Sequence, residues 1–210
     1  MRKAVWYFDF ISPFSYLQLA RFNELPGDLE LTLKPVVFSA LLKHWGQKGP
    51  AEISSKRRFV YRFFKWQAHK RGVPFTMPPI HPFNPLPPLR LALIKGADIN
   101  TVRQIFHFIY GEGRNLDEEG ALAEIGDNLG ISDAQSRISD PSIKETLRTN
   151  TDEAIAAGAF GVPTFVVDGE LFWGDDATGM FTDFLHGAPL FQHEDMMRIS
   201  NMPMGVERSR

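Results

Sequence analysis

Val162-Pro163-Thr164-Phe165-Val166-Val167-Asp168-Gly169-Glu170-Leu171-Phe172-Trp173 carries the strongest local signal in the chain. Residues 164–167 are β-branched or aromatic, Asp168-Gly169 is a favoured two-residue turn, and residues 170–173 return as a second strand. This predicts a hairpin. Beyond Gly174, the pair Asp175-Asp176 reads as the cap of a last helix, whose Met180, Phe181, Phe184 and Leu185 share one face at i, i+1, i+4, i+5. The chain therefore ends its ordered part as β-β-α.

The other end supplies the complement. Ala4-Val5-Trp6-Tyr7-Phe8 is a short, continuous apolar run rich in β-formers, as expected of a strand buried on both faces. Ser12-Pro13 then starts a helix, with Ser12 at the cap and Pro13 in the first turn, where its missing N–H costs nothing. Tyr16, Leu17, Leu19 and Ala20 supply its apolar stripe. Pro26-Gly27-Asp28 closes that helix, and Leu29, Leu31 and Leu33 alternate with polar residues as a strand does. The opening is β-α-β, which requires a parallel pair and a crossover.

Between these halves, from about Ser39 to Gly158, strand signals vanish and helix punctuation recurs. Pro87-Pro88 and Asp140-Pro141 mark starts; Gly130 and Gly158 mark ends. Met77 to Pro88 is proline-rich and reads as loop or extended chain. A helix over Lys56–Trp66 carries aromatics at i, i+4 and i+7 (Phe59, Phe63, Trp66) between basic residues, a pattern expected to form a buried stripe with its cations reaching solvent. The order β-α-β, helical insertion, β-β-α, with Pro163 directly before the third strand, is the layout of a thioredoxin-like α/β fold with a cis proline. Residues 1–38 and 159–186 would form that domain, 39–158 the helical insertion, and 187–210 a C-terminal extension that is either disordered or packed on a partner.

Bulk properties narrow the function. The 210 residues suffice for one ample core, and a formal charge of −2 offers no electrostatic footprint for nucleic acid or an anionic membrane. No apolar stretch approaches the roughly 20 residues of a membrane helix. The basic start is interrupted by Asp9 and Pro13 without a small-residue cleavage site, so the expectation is a cytoplasmic protein. Histidines show no metal-ligand spacing, so no metal is expected. Cysteine is absent altogether, and with it any disulfide or thiol exchange by the chain's own side chains.

That absence matters because Ser12-Pro13-Phe14-Ser15 stands where a disulfide oxidoreductase of this fold carries Cys-x-x-Cys. Hydroxyls replace both sulfurs. A serine hydroxyl forms no disulfide, but it donates a hydrogen bond to a guest thiolate. Serving only as a helix cap is the alternative reading of Ser12.

Four segments together resemble a known family: Phe8-Asp9-Phe10-Ile11-Ser12-Pro13-Phe14-Ser15-Tyr16, Gly72-Val73-Pro74-Phe75, His81-Pro82-Phe83-Asn84-Pro85-Leu86 and Gly158-Ala159-Phe160-Gly161-Val162-Pro163-Thr164-Phe165. They are similar to 2-hydroxychromene-2-carboxylate isomerases, relatives of kappa-class glutathione transferases and, more distantly, of DsbA-type oxidoreductases. The resemblance implies a glutathione-dependent cis-trans isomerase of aromatic catabolism, working as a homodimer on a small aromatic carboxylate. It assigns Ser12 to the glutathione sulfur, Val162 to backbone pairing with the cysteinyl unit, Pro163 beside it to the same glutathione site, and Asp175 and Asp176 to the γ-glutamyl end. Gln47 falls where kappa-class relatives place an asparagine against the tripeptide; its longer amide is a departure. Asn84 is a candidate on the substrate side, with satisfaction of turn backbone as its alternative role. Helix capping is likewise the alternative for the two aspartates.

A hydrogen bond to a charged group contributes roughly 1.5–3 kcal/mol, and one pKa unit corresponds to about 1.36 kcal/mol. One Ser12 contact would therefore lower a bound thiol by about one to two units. The helix N-terminus adds about 0.3–1 kcal/mol. Two further functions fit the same residues: a transferase that leaves glutathione attached to an electrophile, and a non-catalytic glutathione-binding module.

Overall fold

Trp6 and Phe8, both fully buried, point to one side of the first strand, and Tyr7 to the other, so the apolar run that opens the chain is sandwiched between two layers. The computed structural model describes residues 2–206. β1 (Lys3–Phe8) lies inside a four-stranded sheet of order β2-β1-β3-β4. It runs parallel to β2 (Glu30–Pro35), with Lys3 opposite Glu30, and antiparallel to β3 (Thr164–Val167), with Val5 opposite Val166. β4 (Glu170–Trp173) pairs with β3 through the Asp168-Gly169 turn, where both residues have positive φ (51° and 85°), as a two-residue hairpin of this hand demands.

α1 (Pro13–Leu19) packs its buried Leu17 on the Trp6–Phe8 face. The opposite face, around Tyr7, receives α2 (Phe38–His44) through Leu41. α3 (Ser54–Lys70), α4 (Leu86–Ile94), α5 (Ile99–Phe106), α6 (Ala121–Asn128) and α7 (Ala134–Arg137) follow, with a π turn over His107–Gly111 continuing α5. Their core runs into the sheet core without a break: Phe10, Phe106, Tyr110 and Phe75 form one aromatic series with Tyr16 of α1 and Phe8 of β1. α8 (Pro141–Ala156) begins as Asp140-Pro141 predicts, with the Asp140 carboxylate accepting from Ser142 N at 2.7 Å. It returns to the sheet. Asn150 Nδ2 donates to Pro35 O (3.3 Å), Thr151 Oγ1 accepts from Val37 N (3.1 Å), and Ala154 packs with Tyr7 and Val36.

α9 (Thr178–Leu185) and α10 (Glu194–Ser200) complete the chain. Phe191, between them, packs edge-on against Phe184 with ring centroids 5.2 Å apart and so ties the extension to α9. Residues 207–210 of that extension lie outside the described residues.

Three local expectations are corrected. Asp175 and Asp176 do not cap the last helix: they sit in a 3-10 turn, Asp175–Ala177, and α9 starts after it without a side-chain cap. Met180 is half exposed while Phe181 is fully buried, because a face spanning i to i+5 is wider than the contact with the sheet. On α3 the buried stripe is Val60, Phe64 and Ala68; Phe59 and Trp66, on the neighbouring face, are 65% and 53% exposed. Two apolar stripes stand about 100° apart there, and only the one facing Phe14, whose ring lies 4.7 Å from Phe64, is covered.

Candidate functional site

The strand-to-helix connection at the end of β1 is fixed by an acid. Asp9 is fully buried, and its two carboxylate oxygens accept from Ile11 N (3.0 Å) and from Phe38 N (2.9 Å), joining the β1–α1 connection to the start of α2. Burial pushes its carboxyl up to about 7, with the two N–H bonds acting against that rise. Ser12 N donates to Asp9 O at 3.0 Å. Ser12 itself holds the extended φ/ψ of a cap (−99°, 108°), and its Oγ accepts from Ser15 N at 3.3 Å. The hydroxyl proton points across the fold to Val162 O, 3.5 Å away. That is longer than an ordinary O–H···O bond, so the proton is only weakly engaged.

Val162 is joined to Pro163 by a cis peptide bond. Its N–H donates to no described residue, and its carbonyl receives only the Ser12 hydroxyl. A backbone donor and acceptor of one residue thus stand open beside the hydroxyl, the arrangement that pairs with a guest strand. Gly174 N donates to Pro163 O (2.8 Å), which brings the turn carrying both aspartates to the same edge.

The two aspartates part company in this turn. Asp175 is 2% exposed; Arg71, at the end of α3, donates to both of its carboxylate oxygens (2.8 and 2.7 Å), and Arg21 donates to its carbonyl (2.8 Å). Gln18 of α1 reinforces the anchor, donating to Gly174 O (2.8 Å) and accepting from Trp6 Nε1 (2.6 Å). Asp176 is exposed and folds back over Gly174, where a methyl group would come within 2.5 Å of Asp176 Oδ1. Gly174 has a φ of 94°, a conformation glycine adopts at little cost. Asp176 is therefore the free carboxylate of the pair.

Gln47 lies exposed on the loop after α2. Trp45 Nε1 donates to Ala159 O (2.9 Å), and Gln47 N to Leu42 O (2.9 Å), which holds this loop against the segment leading to Val162. Asn84 is exposed and its Oδ1 accepts from Leu86 N (3.1 Å) at the start of α4, so one end of its amide serves the backbone. Its segment reaches the site through His81, whose Nε2 lies 2.7 Å from Ile11 O. The structure thus joins Ser12, Val162 and Pro163 directly, brings up the turn of Asp176 by a backbone bond, and brings up the loops of Gln47 and Asn84 through the side chains of Trp45 and His81. Asp9, Arg71 and Gln18 escaped the sequence reading, since no periodicity or spacing distinguishes them; His81 stood out only as a neighbour of Asn84 in a proline-rich loop that could border the site.

A groove of about 710 Å³ opens elsewhere, at the C-terminal end of α1 between Leu19, Val73, Arg103 and His107, and is lined by none of these residues. Among the described residues no cluster of three His, Cys, Asp or Glu side chains could hold a metal ion, and no helix is long and apolar enough to cross a membrane.

Comparison with known proteins places this geometry. The family profile of the DsbA-like thioredoxin domain matches residues 4–186. Glutathione S-transferase kappa 2 of Caenorhabditis elegans is 27% identical over 207 residues, covering 88% of this chain and 92% of its own. The 2-hydroxychromene-2-carboxylate isomerase of Pseudomonas putida is 29% identical over 183 residues, covering 81% and 88%. A solved structure of a 2-hydroxychromene-2-carboxylate isomerase superposes with a TM-score of 0.78 at 25% identity, covering 92% of this chain and 98% of that one. The chain belongs to the DsbA-like thioredoxin family, and it is related within that family to 2-hydroxychromene-2-carboxylate isomerases and kappa-class glutathione transferases.

Proposed function

We propose that this protein is a glutathione-dependent cis-trans isomerase acting on 2-hydroxychromene-2-carboxylate or a related aromatic-degradation intermediate. The observation that carries the reading is the open N–H of Val162 beside a Ser12 hydroxyl whose only acceptor among the described residues is 3.5 Å away. A tripeptide thiol fits both: its cysteinyl backbone takes the Val162 N–H and C=O, and its sulfur takes the Ser12 proton. Asp176, unpaired by any described residue, suits the α-ammonium of the γ-glutamyl end, and Asp175 holds the turn in place through Arg71. Gln47 borders the same edge.

Bound glutathione supplies the nucleophilic thiol, which is returned unchanged after bond rotation in the substrate. Ser12 keeps that sulfur ionised by donating to it, and the N-terminus of α1 adds a smaller favourable field. Phe14 and Phe63, with ring centroids 6.3 Å apart, continue into the exposed Phe59 and Trp66 of α3, an aromatic wall suited to an apolar ring of a substrate; Asn84 would serve as a polar contact on that side.

A second reading, a glutathione transferase, is favoured by the comparable similarity to the kappa-class enzymes. Incubation with glutathione and 2-hydroxychromene-2-carboxylate separates the two. The isomerase converts the substrate without consuming thiol; the transferase consumes thiol in proportion to product with an electrophile. Saturable glutathione binding that leads to neither reaction would reduce the protein to a binding module.

A further inference from the structure

The peptide unit between Ile11 and Ser12 is held at both ends. Its N–H donates to Asp9 O at 3.0 Å, and its carbonyl lies 2.7 Å from His81 Nε2, a residue 70 positions away. Because a carbonyl oxygen only accepts, His81 Nε2 must carry the proton of that bond. The other ring nitrogen, Nδ1, lies 2.6 Å from the Tyr61 hydroxyl, which also lies 2.8 Å from His81 O. In the neutral ring Nδ1 accepts from Tyr61; in the protonated ring Nδ1 donates to Tyr61, whose own proton then goes to His81 O. The Nε2–H bond to Ile11 is present in either state. Only the other neutral tautomer would break it, and the Ile11 carbonyl, which can only accept, selects against that form, while the Tyr61 hydroxyl serves Nδ1 in any of these states.

We propose that His81 is a positioning residue for Ser12, with Tyr61 holding its ring in place from the Nδ1 side. Rotation of the Ile11–Ser12 peptide plane swings the Cα–Cβ bond of Ser12, and with it the direction of the hydroxyl proton. Asp9 alone restrains the N–H end from within the same loop. His81 restrains the carbonyl end from the helical insertion, whose Tyr61 stands on α3. The pair thus couples the sulfur-binding end of the site to the helical part of the chain. Burial lowers the basicity of the His81 ring, and its bond to Ile11 O works the other way, so the neutral Nε2–H form prevails near neutrality.

This inference rests on the glutathione reading for its catalytic consequence but not for its geometry, so two measurements are made on each protein. Amide hydrogen exchange reports the Ser12 N–H, and ultraviolet thiolate absorbance across pH reports bound glutathione. In His81→Phe the Ser12 amide should lose protection, the bound thiol pKa should rise by about one unit, and kcat near pH 7 should fall about tenfold with KM for glutathione little changed. His81→Gln, whose amide N–H can reach Ile11 O, should recover part of each. Tyr61→Phe should give a smaller shift in the same direction, and it carries the test should His81→Phe fail to fold. Unchanged protection and thiol pKa in the folded variants overturn the proposal. Altered Ser12 protection in a protein that shows no bound thiolate even in its parental form would overturn the glutathione reading and leave the positioning role standing.

Discussion

Replacing Ser12 by alanine separates structure from chemistry at one atom. The hydroxyl makes two bonds within the chain, accepting from Ser15 N at 3.3 Å and donating to Val162 O at 3.5 Å. Both are long. Loss of the cap should cost about 0.5–1 kcal/mol, at the lower end of the usual range for such residues. α1 retains Pro13 in its first turn and the fully buried Leu17, so the fold should persist. The chemical loss is larger. A hydrogen bond to a thiolate contributes about 1.5–3 kcal/mol, which corresponds to about one to two pKa units. At pH 7 the thiolate population, and turnover with it, should fall roughly ten- to hundredfold, leaving the smaller helix contribution of about 0.3–1 kcal/mol. The assay follows isomerisation and the ultraviolet absorbance of bound thiolate between pH 6 and 9, and raising the pH should restore part of the lost rate. An alanine variant with the parental rate and the parental thiol titration would refute the role assigned to Ser12.

Asp175→Asn and Asp176→Asn should fail differently. The first breaks a buried pair with Arg71 and should destabilise the fold by about 2–3 kcal/mol in urea titrations, after allowance for the partial exposure of Arg71; the second should leave the melting temperature unchanged and weaken glutathione binding severalfold by calorimetry. Asp9 makes stability depend on pH. Its folded-state carboxyl, at about 7, stands above the unfolded value of 3.8, so its contribution is complete below pH 3.8 and is lost as pH rises to about 7. The span corresponds to roughly 4 kcal/mol. His81, with its lowered basicity, has the opposite sign: stability from that source rises as pH climbs toward 6.5. Denaturation of Asp9→Asn and the parent at several values between pH 5 and 8 isolates the first effect, since the asparagine protein carries a constant loss from a mispaired backbone N–H and should lack the Asp9 slope; parallel curves for the two proteins would contradict the assignment.

Much of the fold was legible because its signals are local. Asp168-Gly169 dictates a hairpin through backbone handedness alone, Asp140-Pro141 starts α8 through one carboxylate and one fixed φ, and the alternation of Leu29, Leu31 and Leu33 reports a strand with unlike faces. The role proposed for Ser12 rests on its place in that order and on the lack of cysteine. Legibility ended where the deciding partner is distant in sequence. Asp175 and Asp176 are chemically identical neighbours, and it is the distant Arg71 and Arg21 that make one an internal anchor and leave the other free. The two apolar stripes of α3 were equally eligible for burial until Phe14 chose one. α8 falls within a long helical stretch of the sequence, yet its Asn150 and Thr151 bind β2 and its continuation, through Pro35 and Val37. His81 stood out in the sequence only as part of a proline-rich loop beside Asn84, and the acceptor it reaches at Ile11, 70 positions away, has no local signature.

The central claim is that a guest thiol peptide lies between Ser12 and Val162. A crystal structure of the protein with glutathione tests it most directly. The sulfur should lie within hydrogen-bonding distance of Ser12 Oγ, the cysteinyl backbone should pair with the N–H and C=O of Val162, and the γ-glutamyl ammonium should approach Asp176. Glutathione seated instead in the groove beside Leu19 and Arg103, or bound with its sulfur turned away from Ser12, would contradict the account.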